Sequence, residues 1–218
     1  MADASASDRA YRVIRNRIIE HAYEPGTMLG ESTLAGEIGM SRTPVRTALA
    51  RLQDEGWIAV YPKRGAQVRG VSQRAAAELA DARIVLESTS VDRASSPRRA
   101  ELADRLEESI EAQRVAFADG DVAQFIDLTL SFHRSFVEVG ENRVLLELYD
   151  RLVDRHRFLL FGSGERLLSR CADIIDEHHL LLDEVRHGDG PGFAKALRNH
   201  IAETSATDVD GFGDVVGR

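Results

Sequence analysis

Three histidines in the second half of the chain stand where a solvated helix face is not expected. His133 lies within Leu130-Ser131-Phe132-His133-Arg134-Ser135-Phe136, His178 within Asp176-Glu177-His178-His179-Leu180-Leu181-Leu182, and His200 within Leu197-Arg198-Asn199-His200-Ile201. Imidazole nitrogens are borderline donors, and three of them brought in from three helices of one bundle can converge on zinc, manganese or nickel. Taken singly, each is more often a hydrogen-bonded core histidine, and spacing alone leaves both readings open. Cys171 precedes His178 by seven residues, so it shares that helical face. It lies about 10 Å along the axis at 1.5 Å per residue, too far for one ion to hold both. The single cysteine excludes an intramolecular disulfide and fits a reducing compartment; a packing role is the plainer reading and a redox sensor the sharper one.

A second chemistry sits near the N-terminus. Residues 41 to 58 read as a helix made to meet an anion: Thr43 as N-cap, Pro44 at the first helical position, and Val45, Leu49 and Leu52 as an inward stripe, with Gly56 as the stop. Arg42 and Arg46 fall in the cap and first turn, where guanidiniums can fork onto guanine edges or phosphates beside outward-facing backbone N–H groups. The bland alternative is a surface helix with two solvated arginines. Its neighbours favour the recognition helix. A short helix over Thr33–Met40 precedes it and turns at Gly39. A hairpin follows, Trp57–Tyr61 and Ala66–Arg69 about a basic tip, Lys63-Arg64-Gly65. Upstream, residues 9 to 22 place Tyr11, Val13, Ile14, Ile18 and Ile19 on one face, and Pro25-Gly26 breaks the chain. Three helices and a small β-hairpin over residues 9–70 predict a winged helix-turn-helix.

The elements that must position the histidines are helical throughout. The pattern predicts helices near 73–93, 98–118, 121–138, 142–161, 166–187 and 191–206, with breaks at Ser95-Ser96-Pro97, Asp119-Gly120-Asp121, Gly140-Glu141-Asn142, Gly162-Ser163-Gly164 and Gly188-Asp189-Gly190-Pro191. Ser72 can cap the first. The reading is a mainly α protein whose second part is an antiparallel bundle of six or seven helices around one core. Residues 1–8 read as a disordered lead, 71–77 as a linker, 78–206 as the helical domain, and 207–218 as a tail. Charge divides the same way. Residues 1–70 carry 10 Lys+Arg against 8 Asp+Glu, the rest 18 against 28, so a basic head sits on an acidic body within a chain of net charge −8. Only Lys63 and Lys195 are lysines. No apolar run approaches the roughly 20 residues of a membrane span. The opening Met-Ala-Asp-Ala-Ser-Ala-Ser-Asp lacks a signal-peptide pattern, so a cytoplasmic location is expected.

The run from Tyr11 to Val68 resembles the DNA-binding domain of the GntR family of bacterial transcription regulators. The resemblance rests on Pro25-Gly26-Thr27-Met28-Leu29, Leu34-Ala35 with Ile38-Gly39, Ser41-Arg42-Thr43-Pro44-Val45-Arg46, Ala48-Leu49, Arg51-Leu52, Glu55-Gly56, and Arg64-Gly65-Ala66 with Val68. Where that family usually has an arginine after the glutamate opening the second helix, Glu31 here is followed by Ser32, expected to cap the helix or to reach one phosphate. Residues 78–206 resemble the FCD effector domain, through Glu78-Leu79, Arg83, Leu86-Glu87, Phe132-His133, Gly140, Asn142, Glu177-His178, Gly188-Asp189 and His200-Ile201.

That resemblance implies a divalent metal, zinc foremost, on His133, His178 and His200. It also implies an aspartate ligand one turn before the first histidine, where this chain has Thr129; Asp127 lies about 120° away round the helix and cannot replace it. Arg83 is implied to face the effector, against an intrahelical ion pair with Glu87. His156, with Arg155 beside it, is a further candidate for the cavity wall. The expected protein is a homodimeric regulator, in the repressor sense, that is not an enzyme. It would read a pseudo-palindromic double-stranded operator through Arg42, Thr43, Arg46, Lys63, Arg64, Gly65 and Ser32. A small carboxylate effector would bind at Arg83, Thr129, His156 and the metal. Without the aspartate, a metal-free pocket whose histidines bind the effector directly is the competing reading of the site. Two further alternatives stand beside the whole: a regulator whose effector is the ion itself, and a metal-dependent hydrolase. The latter lacks a general base, because Glu177 projects one residue step of about 100° from His178.

Overall fold

The computed structural model describes residues 5–209, which fall into two compact units dividing between Val71 and Ser72. Residues 1–4 and 210–218, most of the expected lead and tail, lie outside the described residues. The first unit opens with α1 (Ala6–Ile19), started by Ser5, whose hydroxyl accepts the Asp8 N–H at 3.1 Å. That cap carries the helix into residues expected in the lead. Ala10, Tyr11, Ile14, Ile18 and Ile19 are its buried face; Val13, expected among them, is exposed. Then come β1 (Met28–Leu29), α2 (Glu31–Glu37), α3 (Arg42–Asp54), β2 (Ile58–Tyr61) and β3 (Gly65–Val68).

α1 packs on α3, whose Val45, Leu49 and Leu52 turn inward as their spacing requires. The wing pairs Ile58 with Val68 and Tyr61 with Gly65. β1 was not expected; it adds to β3 through Met28–Gln67 and Leu29–Ala66, giving the order β1-β3-β2. A two-residue strand has no periodicity to read, and only its partner defines it. Gly65 has φ +112°, and a Cβ there would lie 2.7 Å from the Leu29 carbonyl oxygen, so β1 can approach the wing only over glycine.

The second unit contains α4 (Gln73–Arg93), α5 (Ser96–Ala118), α6 (Val122–Glu138), α7 (Arg143–His187) and α8 (Gly190–Val209). Ser72 caps α4 by accepting the Ala75 N–H at 3.2 Å, so the expected linker is helical from Gln73. α7 spans two expected helices and leaves helical geometry only at Gly164 (φ 48°, ψ −123°), which makes six helical segments in the bundle. α6 lies against α4, α5 and α7, and α8 against α4 and α7. Their shared core includes Leu102, Leu106, Ile110, Phe125, Phe136, Leu181, Phe193 and Leu197. Set in the same buried face of α6 are two polar residues one turn apart, Thr129 and His133. Among the described residues no helix is long and apolar enough to cross a membrane.

Candidate functional site

The bundle brings the three histidines together from three helices. His133 comes from α6, His178 from the second stretch of α7 and His200 from α8; all are buried, and their ligand-capable atoms lie within 4.8 Å of one another. Each ring is held from behind. His133 Nδ1 meets Glu87 Oε2 at 2.8 Å, His178 Nδ1 meets Gln113 Oε1 at 2.7 Å, and His200 Nδ1 meets Glu177 Oε2 at 2.6 Å. An acceptor at each Nδ1 selects the Nδ1–H tautomer and turns the Nε2 lone pair inward, as metal-ligating imidazoles require. Phe132 stacks on the His178 ring at 4.2 Å between centroids and fixes its plane. Burial, chiefly, keeps His133 and His178 well below the usual imidazole range, and lowers His200 against the pull of Glu177. Each ring is thereby shifted toward its neutral form, the state a metal needs.

The nitrogen positions also suit an ion. His133 Nε2 and His200 Nε2 are 3.1 Å apart, and His178 Nε2 is buried with no hydrogen-bond partner. Two nitrogens on one tetrahedral zinc at 2.0–2.1 Å stand about 3.3 Å from each other. With both Nδ1–H groups given to carboxylates, two lone pairs face each other at 3.1 Å, and a cation between them removes the repulsion.

The fourth side is where the chain departs from the resemblance. Thr129 Oγ1 is buried without a hydrogen-bond partner and lines a cavity of about 10 Å³ with His133, His156 and His200. That volume is on the order of one water. Asp127 is exposed on the other side of α6 and ion-paired with Arg157, so it does not stand in for the aspartate. Arg83 makes the expected intrahelical pair with Glu87 and also reaches His156. Its Nε donates to Glu87 Oε1 at 3.0 Å, its Nη1 donates to His156 Nε2 at 3.0 Å, and its Nη2 is buried without a partner. The pair is only 5% and 0% exposed, so it is not the weak surface pair of an i,i+4 helix face. Tyr149 adds a third donor to Glu87 at 3.1 Å. Burial pushes the Glu87 carboxyl up to about 7, against Arg83 and Tyr149. A continuous buried chain thus runs from His156 through Arg83 and Glu87 to His133.

The sequence reading did not find Gln113, Glu177 or Tyr149 as partners in this site. Gln113 carried a signal: it continues the Leu106–Ile110 stripe of α5, where a polar residue needs a reason. Glu177 was set aside as facing away from His178. It does, and the same turn points it at His200.

On the first unit, α3 begins two residues earlier than expected, with Ser41 as N-cap and no side-chain cap bond. Thr43 is exposed in the first turn and Pro44 is buried there. Gly30, not Ser32, occupies the N-cap of α2, because the helix already includes Glu31; Ser32 is exposed on its first turn. Arg42 is 66% exposed and pairs with Glu31 at 3.0 Å; Arg46, Lys63 and Arg64 are exposed. Lys63 holds φ 64° at the hairpin tip. The helix-turn-helix, the wing and their basic residues are those of a DNA reader.

The FCD domain model matches residues 78–203 and the model of bacterial regulatory proteins, gntR family, matches residues 6–68. The chain belongs to the GntR family of transcription regulators, in the branch that carries an FCD domain. It is 25% identical over 202 residues to the HTH-type transcriptional repressor RspR of Escherichia coli (strain K12), covering 91% of this chain and 87% of that protein. It is 28% identical over 214 residues to the gluconate operon transcriptional repressor of Bacillus licheniformis, covering 96% and 88%. Among solved structures, E. coli McbR/YncC superposes with TM-score 0.73 at 26% identity over 94% of this chain and 97% of that one. A putative GntR regulator from Rhodococcus sp. RHA1 shares the fold with TM-score 0.79 at 19% identity, over 96% and 100%.

Proposed function

We propose that this regulator is a repressor whose operator affinity is set by a small carboxylate, bound beside a divalent ion on His133, His178 and His200. The observation that carries the reading is the three buried imidazoles with every Nδ1 engaged and their donor atoms within 4.8 Å of one another. Zinc bound there supplies a positive charge for an anionic ligand to meet. Because Thr129 brings no carboxylate, three neutral ligands leave that charge whole, and the effector's carboxylate supplies the compensation. Arg83, linked to both His156 and Glu87, positions the wall the effector touches.

On DNA, a homodimer presents two copies of α3 to successive half-sites of a pseudo-palindrome. Arg42 and Arg46 read base edges or phosphates, Thr43 and Ser32 assist at the backbone, and Lys63-Arg64-Gly65 enters from the wing. Arg42 exchanges Glu31 for its DNA partner. Effector binding favours one arrangement of the dimer and so changes operator affinity by linkage. The test is operator affinity of the full chain with zinc, with and without carboxylates, in the wild type and in His178→Ala. Effector response in the wild type and none in the variant is expected; an unaltered response in the variant refutes the site. The cavity's size favours a second reading, in which the ion itself is the effector. Operator release by zinc without any carboxylate selects it.

A further inference from the structure

Four helical segments line the cavity; those of α6 and α7 lead away from the histidines into apolar side chains, while on α8 Thr204 follows His200 by one turn with its hydroxyl donated to the His200 carbonyl at 2.8 Å. On α6, Phe125 and Ile126 lie two turns before His133; on α7, Leu160 follows His156 by one turn and Leu167 precedes His178 by three. At 1.5 Å per residue these steps are about 6 to 16 Å, and since all of these residues except His178 wall one small space, they close its far end. The near end holds Thr129, the imidazoles and, one residue back, Arg83. The cavity is therefore polar at one end and hydrocarbon at the other.

We propose that the ligand is a small monocarboxylate with a short apolar tail, aliphatic or phenyl, and not a polyhydroxylated acid. This rests on the carboxylate reading above and narrows it. The carboxylate takes the Thr129 end, where Thr129 Oγ1 is buried without a partner and Arg83 stands behind the cavity-lining His156. The tail takes the end walled by Phe125, Ile126, Leu160 and Leu167, which has nothing to hydrogen-bond a row of hydroxyls; burying those unpaired is costly. The walls must yield to admit it. Leu160 and Leu167 flank Gly164, the one residue in α7 outside helical geometry, and a Cβ built there meets nothing within 4 Å.

The experiment is calorimetry on the full chain, zinc-loaded and chelated, with isovalerate, hexanoate, benzoate and gluconate. At least one apolar-tailed acid binds tenfold or more tightly than gluconate. Leu167→Ala, which lengthens the apolar end, moves preference from isovalerate toward hexanoate. Should that variant fail to fold, Thr129→Val keeps the shape and weakens every carboxylate tenfold or more. Gluconate binding as tightly as the others, or zinc-loaded protein binding none of the four, overturns the inference. Isovalerate binding equally to chelated protein upholds it while removing the metal from the proposed function.

Discussion

Replacing Gln113 with leucine tests whether the histidines are held as ligands or only packed. Gln113 is fully buried, its Oε1 takes the His178 Nδ1–H at 2.7 Å, and its amide nitrogen donates to Ser109 Oγ at 3.4 Å. Leucine has nearly the same volume and no acceptor. Two losses follow. A buried Nδ1–H left unpaired costs about 1–3 kcal/mol of fold stability. The freed ring changes tautomer or turns, and removing such a supporting bond weakens metal affinity roughly 10- to 100-fold, about 1.4–2.7 kcal/mol. The assay is competition of chelated protein against a chromophoric chelator, with urea unfolding of the same samples. Gln113→Glu keeps an acceptor at the same place and restores zinc affinity, which separates the ring's orientation from general loss of stability. Folded Gln113→Leu protein holding zinc as tightly as the wild type refutes the argument.

Arg46→Ala lowers discrimination among operator base changes by about 1–3 kcal/mol at the position it reads, whereas Lys63→Ala weakens all sequences alike and reduces the salt slope by about one; mobility-shift titrations at several salt concentrations distinguish them. Glu87→Ala leaves the Arg83 charge buried and uncompensated and destabilises the bundle by about 3–5 kcal/mol in urea melts, far more than an exposed i,i+4 pair. The imidazoles of His133, His156 and His178 are depressed by burial, so below about 6.5 the unfolded chain takes up protons that the folded one does not. Stability is thus full above that pH and falls as the pH drops from 7.5 to 5.5, although Glu87, raised to about 7, opposes part of the loss; an unchanged urea midpoint contradicts neutral buried rings. Burial pushes the Cys171 thiol up to about 11, so native protein resists alkylation at pH 8 and unfolded protein does not, as the packing reading requires.

Local signals made most of this fold legible. The stripe Val45, Leu49, Leu52 and the stop at Gly56 define α3 without reference to anything distant, and the hairpin shows in the alternation of Trp57–Tyr61. What depended on partners was not legible. β1 exists because Met28 and Leu29 meet β3 across about 38 residues of chain, and no pattern within two residues states that. Helix starts slipped by a residue or two because several polar residues stand together and the backbone chooses among them: Ser41 over Thr43, Gly30 over Ser32. Gly162-Ser163-Gly164 reads as a full break, yet only Gly164 departs from helix, since packing on both sides carries α7 through. In the site, the clustered histidines were visible by their apolar setting, but Glu87, Gln113 and Glu177 are defined by which helix lies opposite. That is a property of tertiary packing.

The central claim, that His133, His178 and His200 form one binding site for a divalent ion, is tested most directly by titrating zinc into chelated full-length protein. The account predicts one tight equivalent per chain, lost in His178→Ala and tightened in Thr129→Asp, which supplies the missing carboxylate. Absence of tight binding, or a stoichiometric site that persists in His178→Ala, contradicts it.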